Sequence, residues 1–490
     1  GTFGGFNRLL AFGPWLEKIP IGGVELSPGL DRPDMEKLLD RIEAETAGRP
    51  FIVTRTKWLV AMFDNLRLAV NREDPFVHWH PDGMLMPNRF LKRMDELKKK
   101  VPSRAAYGWS WVDVSHTCPD WKSVLALGPK GLAERARKRR ETAKTDDERL
   151  FLDCVVEVYE ALARECVRWA DFADAKGMKD VAAVLREIAA HPPRTLREAL
   201  QLQLVYDRCQ EAESECVRSQ GLFDRLYLKF YRDDLAAGRE TRASAKELIR
   251  RLFLKYWLQA HPNGKNIAFG GYGRDGRPVW NELTEIAFEL HYELDHINPK
   301  LTFRYGTRTP HDQLLKVTRC LAAGRTAVVF FNDDTARKMF VRCGKDPADT
   351  ADAVLIGCYE PGIQGREVIA SMSVWLNMVK PFEAVFNGGK GFDGYPIGPA
   401  CELPRDFAAF KREYLRQLEA HAKSALDKTR LYEEHWYELN PSPVMSGQFR
   451  DAVANARDAY DGGMKYNQSG VMLSGMATVA DSLAAVRYLV

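Results

Sequence analysis

Apolar residues recur at i, i+3, i+4 and i+7 through LFLDCVVEVYEALAREC and again through LREALQLQLVYDRC, and this period predicts long amphipathic helices between about 147 and 260. Thr195 followed by Glu198 reads as a capping box opening the second. Residues 1–145 are less regular: short helical stretches at 34–47 and 90–100 alternate with proline and tryptophan clusters such as DPFVHWHPDG. From Asn266 the period changes. NIAFGGY reads as a strand, NELTEIAFELHYEL as a helix capped by Asn281, and KLTFRYG as a second strand. A helix then starts at Thr309 and Pro310 and stops at Gly324, AVVFFN is a third strand, 334–341 a helix, and AVLIG a fourth strand. Strand and helix alternating in this way, with strands that are continuous apolar runs, predict parallel β/α architecture. The chain thus divides into an irregular and helical part (1–145), a helical layer (146–260) and a β/α region (261–490).

In such folds the chemistry sits at strand ends. The fourth strand ends in VLIGCYEPG, with Cys358 and Glu360 two residues apart between Gly357 and Pro361. Glycine permits unusual backbone angles and proline ends a strand, so the segment is expected to be a tight tip without a ladder. The bland reading of Cys358 is a buried thiol acting as a small hydrophobe, the role expected of most of the other eight cysteines. A carboxylate nearby disfavours a thiolate, so a neutral thiol beside a proton-transfer group fits better than a nucleophile.

Composition narrows the classes. A net charge of +4 over 71 basic and 67 acidic residues lacks the basic stripe of a nucleic-acid binder, and Arg135–Arg140 reads as a solvated helix face. Nine cysteines without a C-x-x-C pair point to a reducing compartment and away from zinc or an iron–sulfur cluster in this chain. No apolar run approaches the roughly 20 residues that span a bilayer, and the N-terminal GTFGGFNRLLAFG is too polar for a secretory signal, so a cytoplasmic protein is expected. The first residue is not methionine, so it is not expected to open the gene product. Gly271, Gly273 and Gly276 spell a dinucleotide fingerprint, but Arg277 and Pro278 follow before any helix can start, and a glycine-rich turn is the better reading.

GCYEPG is similar to the Gly-Cys-x-Glu-Pro signature of the glycyl radical enzymes, the pyruvate formate-lyase-like family, in the branch of the glycerol and diol dehydratases. SHTCPDWKSVLALGPKGL, PPRTLREALQLQ, GLFDRLYLKFYRDDLAAGRET, LTFRYGTRTP, VVFFNDD and MKYNQSGVMLSGMATVADSLAAV resemble further segments of that family, so the likeness covers most of the chain. It implies a ten-stranded β/α barrel with a helical N-terminal region and the cysteine on a central loop. It also implies a thiyl radical on Cys358 that takes a hydrogen atom from the substrate, with Glu360 as general base.

Departures from the family pattern shape the expected substrate. His116 falls on the substrate-binding histidine of the diol dehydratases, but their His-Ser pair falls on Cys216 and Val217 and their aspartate on Met372, which argues against glycerol or propanediol. Trp109, Trp111 and Asp113 offer an aromatic or cationic recognition surface, although tryptophans at this spacing are commonly core. The Arg-Val-x-Gly-Tyr type loop that stores the radical is not found in the 490 residues, so the barrel is expected to be incomplete at its C-terminus, with an open sheet edge. The resemblance then implies a large component of a lyase or dehydratase whose radical glycine comes from a second polypeptide or a missing segment. The radical would be installed by a radical S-adenosylmethionine activating enzyme in an anaerobic cytoplasm, and a homodimer is allowed. A glycyl radical decarboxylase and a non-catalytic scaffold are the alternatives.

Overall fold

Thr145 accepts a hydrogen bond from the backbone of Glu148 and starts helix α1 (Asp146–Ala175), whose apolar stripe, including Val155, Tyr159, Leu162 and Trp169, is buried. The structure is a computed structural model describing residues 24–78, 93, 108–110, 116–213, 217, 219–258, 265–357 and 359–489; of 108–110 and 369–372 it describes the backbone only. The chain forms two units, Gly1–Pro87 with Ser115–Val368 and Pro441–Tyr466, and Asn88–Val114 with Ile369–Asn440 and Asn467–Val490.

Helix α2 (Leu196–Ala212) departs from the amphipathic expectation. Its apolar stripe is buried, and so are its polar residues Gln201, Gln203, Asp207, Gln210 and Glu211. Those groups stay inside because they have partners: Gln201 bonds both backbone groups of Val77, Gln203 donates to Gln220, and Gln210 donates to Thr117. The capping box is displaced by one residue. Thr195 accepts from the Glu198 amide as expected, whereas the Glu198 carboxylate reaches back to the Arg194 amide at 2.7 Å. The basic run also divides: Arg137 and Arg140 pair with surface carboxylates, but Arg135 turns inward to the carbonyls of Gly447 and Gln448.

Eleven strands are described: β1 (Val24–Leu26), β2 (Ala69–Asn71), β3 (Gly108–Ser110), β4 (Ser219–Leu222), β5 (Asn266–Gly270), β6 (Lys300–Tyr305), β7 (Val328–Asn332), β8 (Ala353–Ile356), β9 (Glu360–Ile363), β10 (Glu367–Asn377) and β11 (Tyr466–Ser474). In the first unit β4, β5, β6 and β7 form a parallel sheet in that order, with Asn266 opposite Lys300 and Leu301 opposite Val328. Helix α3 (Glu282–Leu294) connects β5 to β6, and Asn281 and Thr284 cap it reciprocally. Helix α4 (His311–Ala322) connects β6 to β7, and α5 (Asp333–Arg342) follows β7. The glycines at 271, 273 and 276 lie in a turn closed by a Tyr272–Pro278 bridge, and the next helix begins only at Glu282.

The fourth predicted strand does not extend this sheet. β8 pairs antiparallel with β9, and its direction opposes that of β5 and β6. Where β6 ends, Arg304 donates to the Ala351 carbonyl just before β8, as does Arg225, both at 2.9 Å. Where β5 and β6 begin, Asn266 and Lys300 donate to the Gly357 carbonyl just after β8, at 3.0 and 3.3 Å. The tip carrying position 358 therefore lies at the amino ends of the parallel strands, not at a carboxyl end as the alternating pattern suggested.

In the second unit β10 lies between β11 and β3, with Trp375 opposite Trp109 in an antiparallel register. Helices α6 (Phe407–Glu434) and α7 (Met476–Leu489) contribute to a core of Phe382, Val385, Phe410, Tyr414 and Val479. β11 stands at the sheet edge, with Val471 and Leu473 exposed. Among the described residues no helix is long and apolar enough to cross a membrane. The described cysteines are free, and Cys118, Cys154, Cys166, Cys209 and Cys320 are buried.

Burial also leaves a pH signature. Glu165 on α1 is fully buried, accepts from the Cys209 thiol, and has its pKa pushed up to about 8 by desolvation. The native state then holds a proton that the unfolded chain releases above the usual carboxylate range. The stability this group contributes is full below about pH 4.5 and falls as pH rises toward 8, by at most about 1.4 kcal/mol per pH unit. Glu165→Gln is expected to flatten the fall in urea midpoint between pH 5 and 8; equal slopes for variant and parent would refute this origin.

Candidate active site

The β8–β9 hairpin turns within three residues, since Ile356 pairs with Glu360 and the Tyr359 amide donates to the Ile356 carbonyl at 2.8 Å. Pro361 does not end the ladder: it lies within β9 opposite Leu355, so the tip is shorter than the sequence suggested. Gly357 has φ of 52° and Tyr359 φ of 89°. The second is a strained angle for a residue with a side chain and is held by the turn around it.

Gly357 is required by close approach as well as by its angle. A Cβ there would lie 2.3 Å from His116 Cδ2, 2.6 Å from His116 Nε2 and 3.2 Å from Glu360 Oε2. The glycine thus lets the hairpin close onto an imidazole and a carboxylate. His116 is 1% exposed and Glu360 8%, with Nε2 and Oε1 3.9 Å apart. Neither carboxylate oxygen of Glu360 accepts a hydrogen bond among the described residues. A buried carboxylate without donors is costly, and among the described residues this one keeps its acceptor capacity unused.

His116 is placed through its neighbour: Thr117 bridges Val217 in parallel register and accepts from Gln210 on α2. Val217 is fully buried, and its carbonyl accepts from Lys265 at 2.7 Å. Lys265, 1% exposed, also donates to Asp207 at 2.8 Å and Glu211 at 2.6 Å, which uses all its N–H groups. Burial opposes its charge, but the two carboxylates outweigh burial and hold its pKa above the usual value.

His116, Val217 and Glu360 are thus brought together with the hairpin in the first unit. Cys358, Cys216, Trp111 and Asp113 lie outside the described residues. Met372 falls on β10 and Trp109 on β3, in the second unit, where only backbone is described. Sequence reasoning missed Lys265, Asn266 and Lys300. The available signals were a charged and an amide residue directly before an apolar strand, and Asp207 and Glu211 at i, i+4 on a helix with buried polar residues.

The fold and the hairpin define a glycyl radical enzyme scaffold. A glycyl radical enzyme structure from Archaeoglobus fulgidus superposes with a TM-score of 0.83 at 20% identity, covering 94% of this chain and 70% of that one. The profile of the pyruvate formate lyase-like family matches residues 91–490, and the chain belongs to that family. It is 26% identical over 417 residues to the (2S)-3-sulfopropanediol dehydratase of Klebsiella oxytoca, which covers 78% of this chain and 50% of the relative. It is 24% identical over 344 residues to the indoleacetate decarboxylase of Tractidigestivibacter scatoligenes, covering 63% of this chain and 38% of the relative. The chain spans half or less of the length of these relatives.

Proposed function

We propose that these 490 residues form the thiol-bearing part of a glycyl radical lyase of the dehydratase type. Cys358, as a thiyl radical, takes a hydrogen atom from a substrate carbon that carries a hydroxyl group. Glu360 takes the hydroxyl proton, and the bond from the neighbouring carbon to oxygen or another heteroatom breaks: the leaving group departs as an anion with the bonding pair, the hydroxyl carbon becomes a carbonyl, and the unpaired electron passes to the neighbouring carbon. The product radical then recovers the hydrogen atom from Cys358, so turnover needs no net oxidant. The observation that carries this reading is Glu360: a buried carboxylate, two residues from Cys358, whose oxygens accept no hydrogen bond among the described residues. His116, whose Nε2 is 3.9 Å from Glu360 Oε1, holds an oxygen of the same substrate in this reading. Similarity to the Klebsiella dehydratase supports the reading.

The glycyl radical supplies the unpaired electron that the thiol uses. Tyr359, adjacent to Cys358, is 36% exposed while Gly357 and Glu360 are buried, so the tip is reachable by a loop from elsewhere. That loop belongs to a second polypeptide or to sequence outside these residues, and a radical S-adenosylmethionine activating enzyme installs the radical. Val217, apolar where the diol dehydratases have a polar contact, and similarity to the indoleacetate decarboxylase favour a second reading, decarboxylation.

The test is anaerobic activation of the complete protein followed by incubation with vicinal hydroxy compounds and with arylacetates. A glycyl radical signal in electron paramagnetic resonance, with release of the leaving group and formation of a carbonyl product, is the expected result. Carbon dioxide release would move the assignment to the second reading. Failure to form any radical with a competent activating enzyme would overturn both.

A further inference from the structure

We infer that the amino ends of β5 and β6 are the positioning element for the thiol hairpin, with Asn266 as the side chain that sets it. The inference rests on the reading of Cys358 given above. The Gly357 carbonyl belongs to the peptide unit that joins Gly357 to Cys358, and a peptide unit is planar. Fixing that oxygen therefore fixes the direction in which the chain leaves toward the thiol-bearing residue. Two donors hold it, Asn266 Nδ2 at 3.0 Å and Lys300 Nζ at 3.3 Å, so both lone pairs are used. On the far side of the tip the Tyr359 amide is tied to the Ile356 carbonyl, and Lys300 lies 4.6 Å from the centre of the Tyr359 ring.

Asn266 is the stronger of the two clamps. It is 1% exposed, and turning its amide over would set Oδ1 against the carbonyl oxygen, acceptor to acceptor. Its place in the strand is fixed by pairing with Lys300 in register. Its chain neighbour Lys265 grips the carbonyl of Val217, the residue bridged to His116's neighbour Thr117. Two consecutive residues at one strand end thus hold the thiol hairpin and the Val217 segment in a fixed relation. Hydrogen-atom transfer is acutely sensitive to the distance between the reacting atoms, so a clamp on the peptide preceding the thiol acts on rate rather than on substrate affinity.

The experiment compares Asn266→Ala and Asn266→Asp with the parent in the complete, activated protein. Aspartate keeps the shape and removes the N–H donor. The expected result is a kcat lowered by roughly 100-fold, as for a displacement of about 1 Å, with KM little changed and glycyl radical content at the parent level. The isotope effect with substrate deuterated at the abstracted position is expected to rise. In the unactivated protein, alkylation of Cys358 followed by peptide mass spectrometry is expected to quicken in both variants, with the exposed Cys343 as internal reference. Unchanged kcat and alkylation would overturn the inference, as would a change in KM alone, which would make Asn266 a substrate contact. If Asn266→Ala fails to fold, Lys300→Met loosens the same carbonyl from a half-buried position and is expected to show the same pattern more weakly. Turnover retained by Cys358→Ala would instead sink the functional reading, and the alkylation result would still report on the clamp.

Discussion

Cys358→Ala is expected to abolish turnover in the activated protein while leaving the melting curve close to that of the parent. The hairpin is held by main-chain groups, the Gly357 carbonyl and the Tyr359 amide, and alanine preserves both. Glu360→Gln is the companion variant, since it keeps the shape and removes the base. A general base positioned at the reacting group contributes on the order of 100-fold to 10,000-fold, and kcat is expected to fall within that range. Both are read by anaerobic product assay alongside radical quantification. Activity in the alanine variant above a few per cent of the parent would end the assignment of the thiol, whatever the glutamine variant does.

Lys265→Met is expected to have the largest effect on stability. The ammonium is the shared counter-charge of Asp207 and Glu211, which are 0% and 2% exposed, and it also ties down the Val217 carbonyl. Removing one partner of a buried ion pair leaves an uncompensated charge and typically costs about 3–5 kcal/mol, a large part of the roughly 5–15 kcal/mol that holds a domain folded. Urea unfolding should show the loss directly. Adding Asp207→Asn and Glu211→Gln to the methionine variant should restore part of it, because the stranded charges are then gone. A midpoint for Lys265→Met equal to the parent's would mean that the cluster is not a stabilising element.

The parallel β/α portion was readable because its strands are short apolar runs flanked by strong helix signals. Asn281 and Pro310, read as helix starts, immediately precede the first helical residues Glu282 and His311. The hairpin was half readable. GCYEPG located the thiol and carboxylate, but AVLIG has the same apolar character as the sheet strands, and nothing in a strand's sequence states its direction. Direction is set here by side chains distant in the chain, Arg225 and Arg304 at one end and Asn266 and Lys300 at the other. The burial of the polar residues of α2 was hidden for a similar reason. Periodicity marks which residues share a face, whereas whether that face meets water depends on partners such as Lys265, more than 50 residues away.

At its base and at its tip the hairpin is gripped by backbone oxygens, at Ala351 and Gly357. Such a grip is indifferent to what the hairpin carries. A substitution at a hairpin side chain therefore leaves these backbone contacts in place, and the reactive centre keeps its anchor. The residues that cannot be traded are the ones that grip, and they lie outside the GCYEPG signature itself.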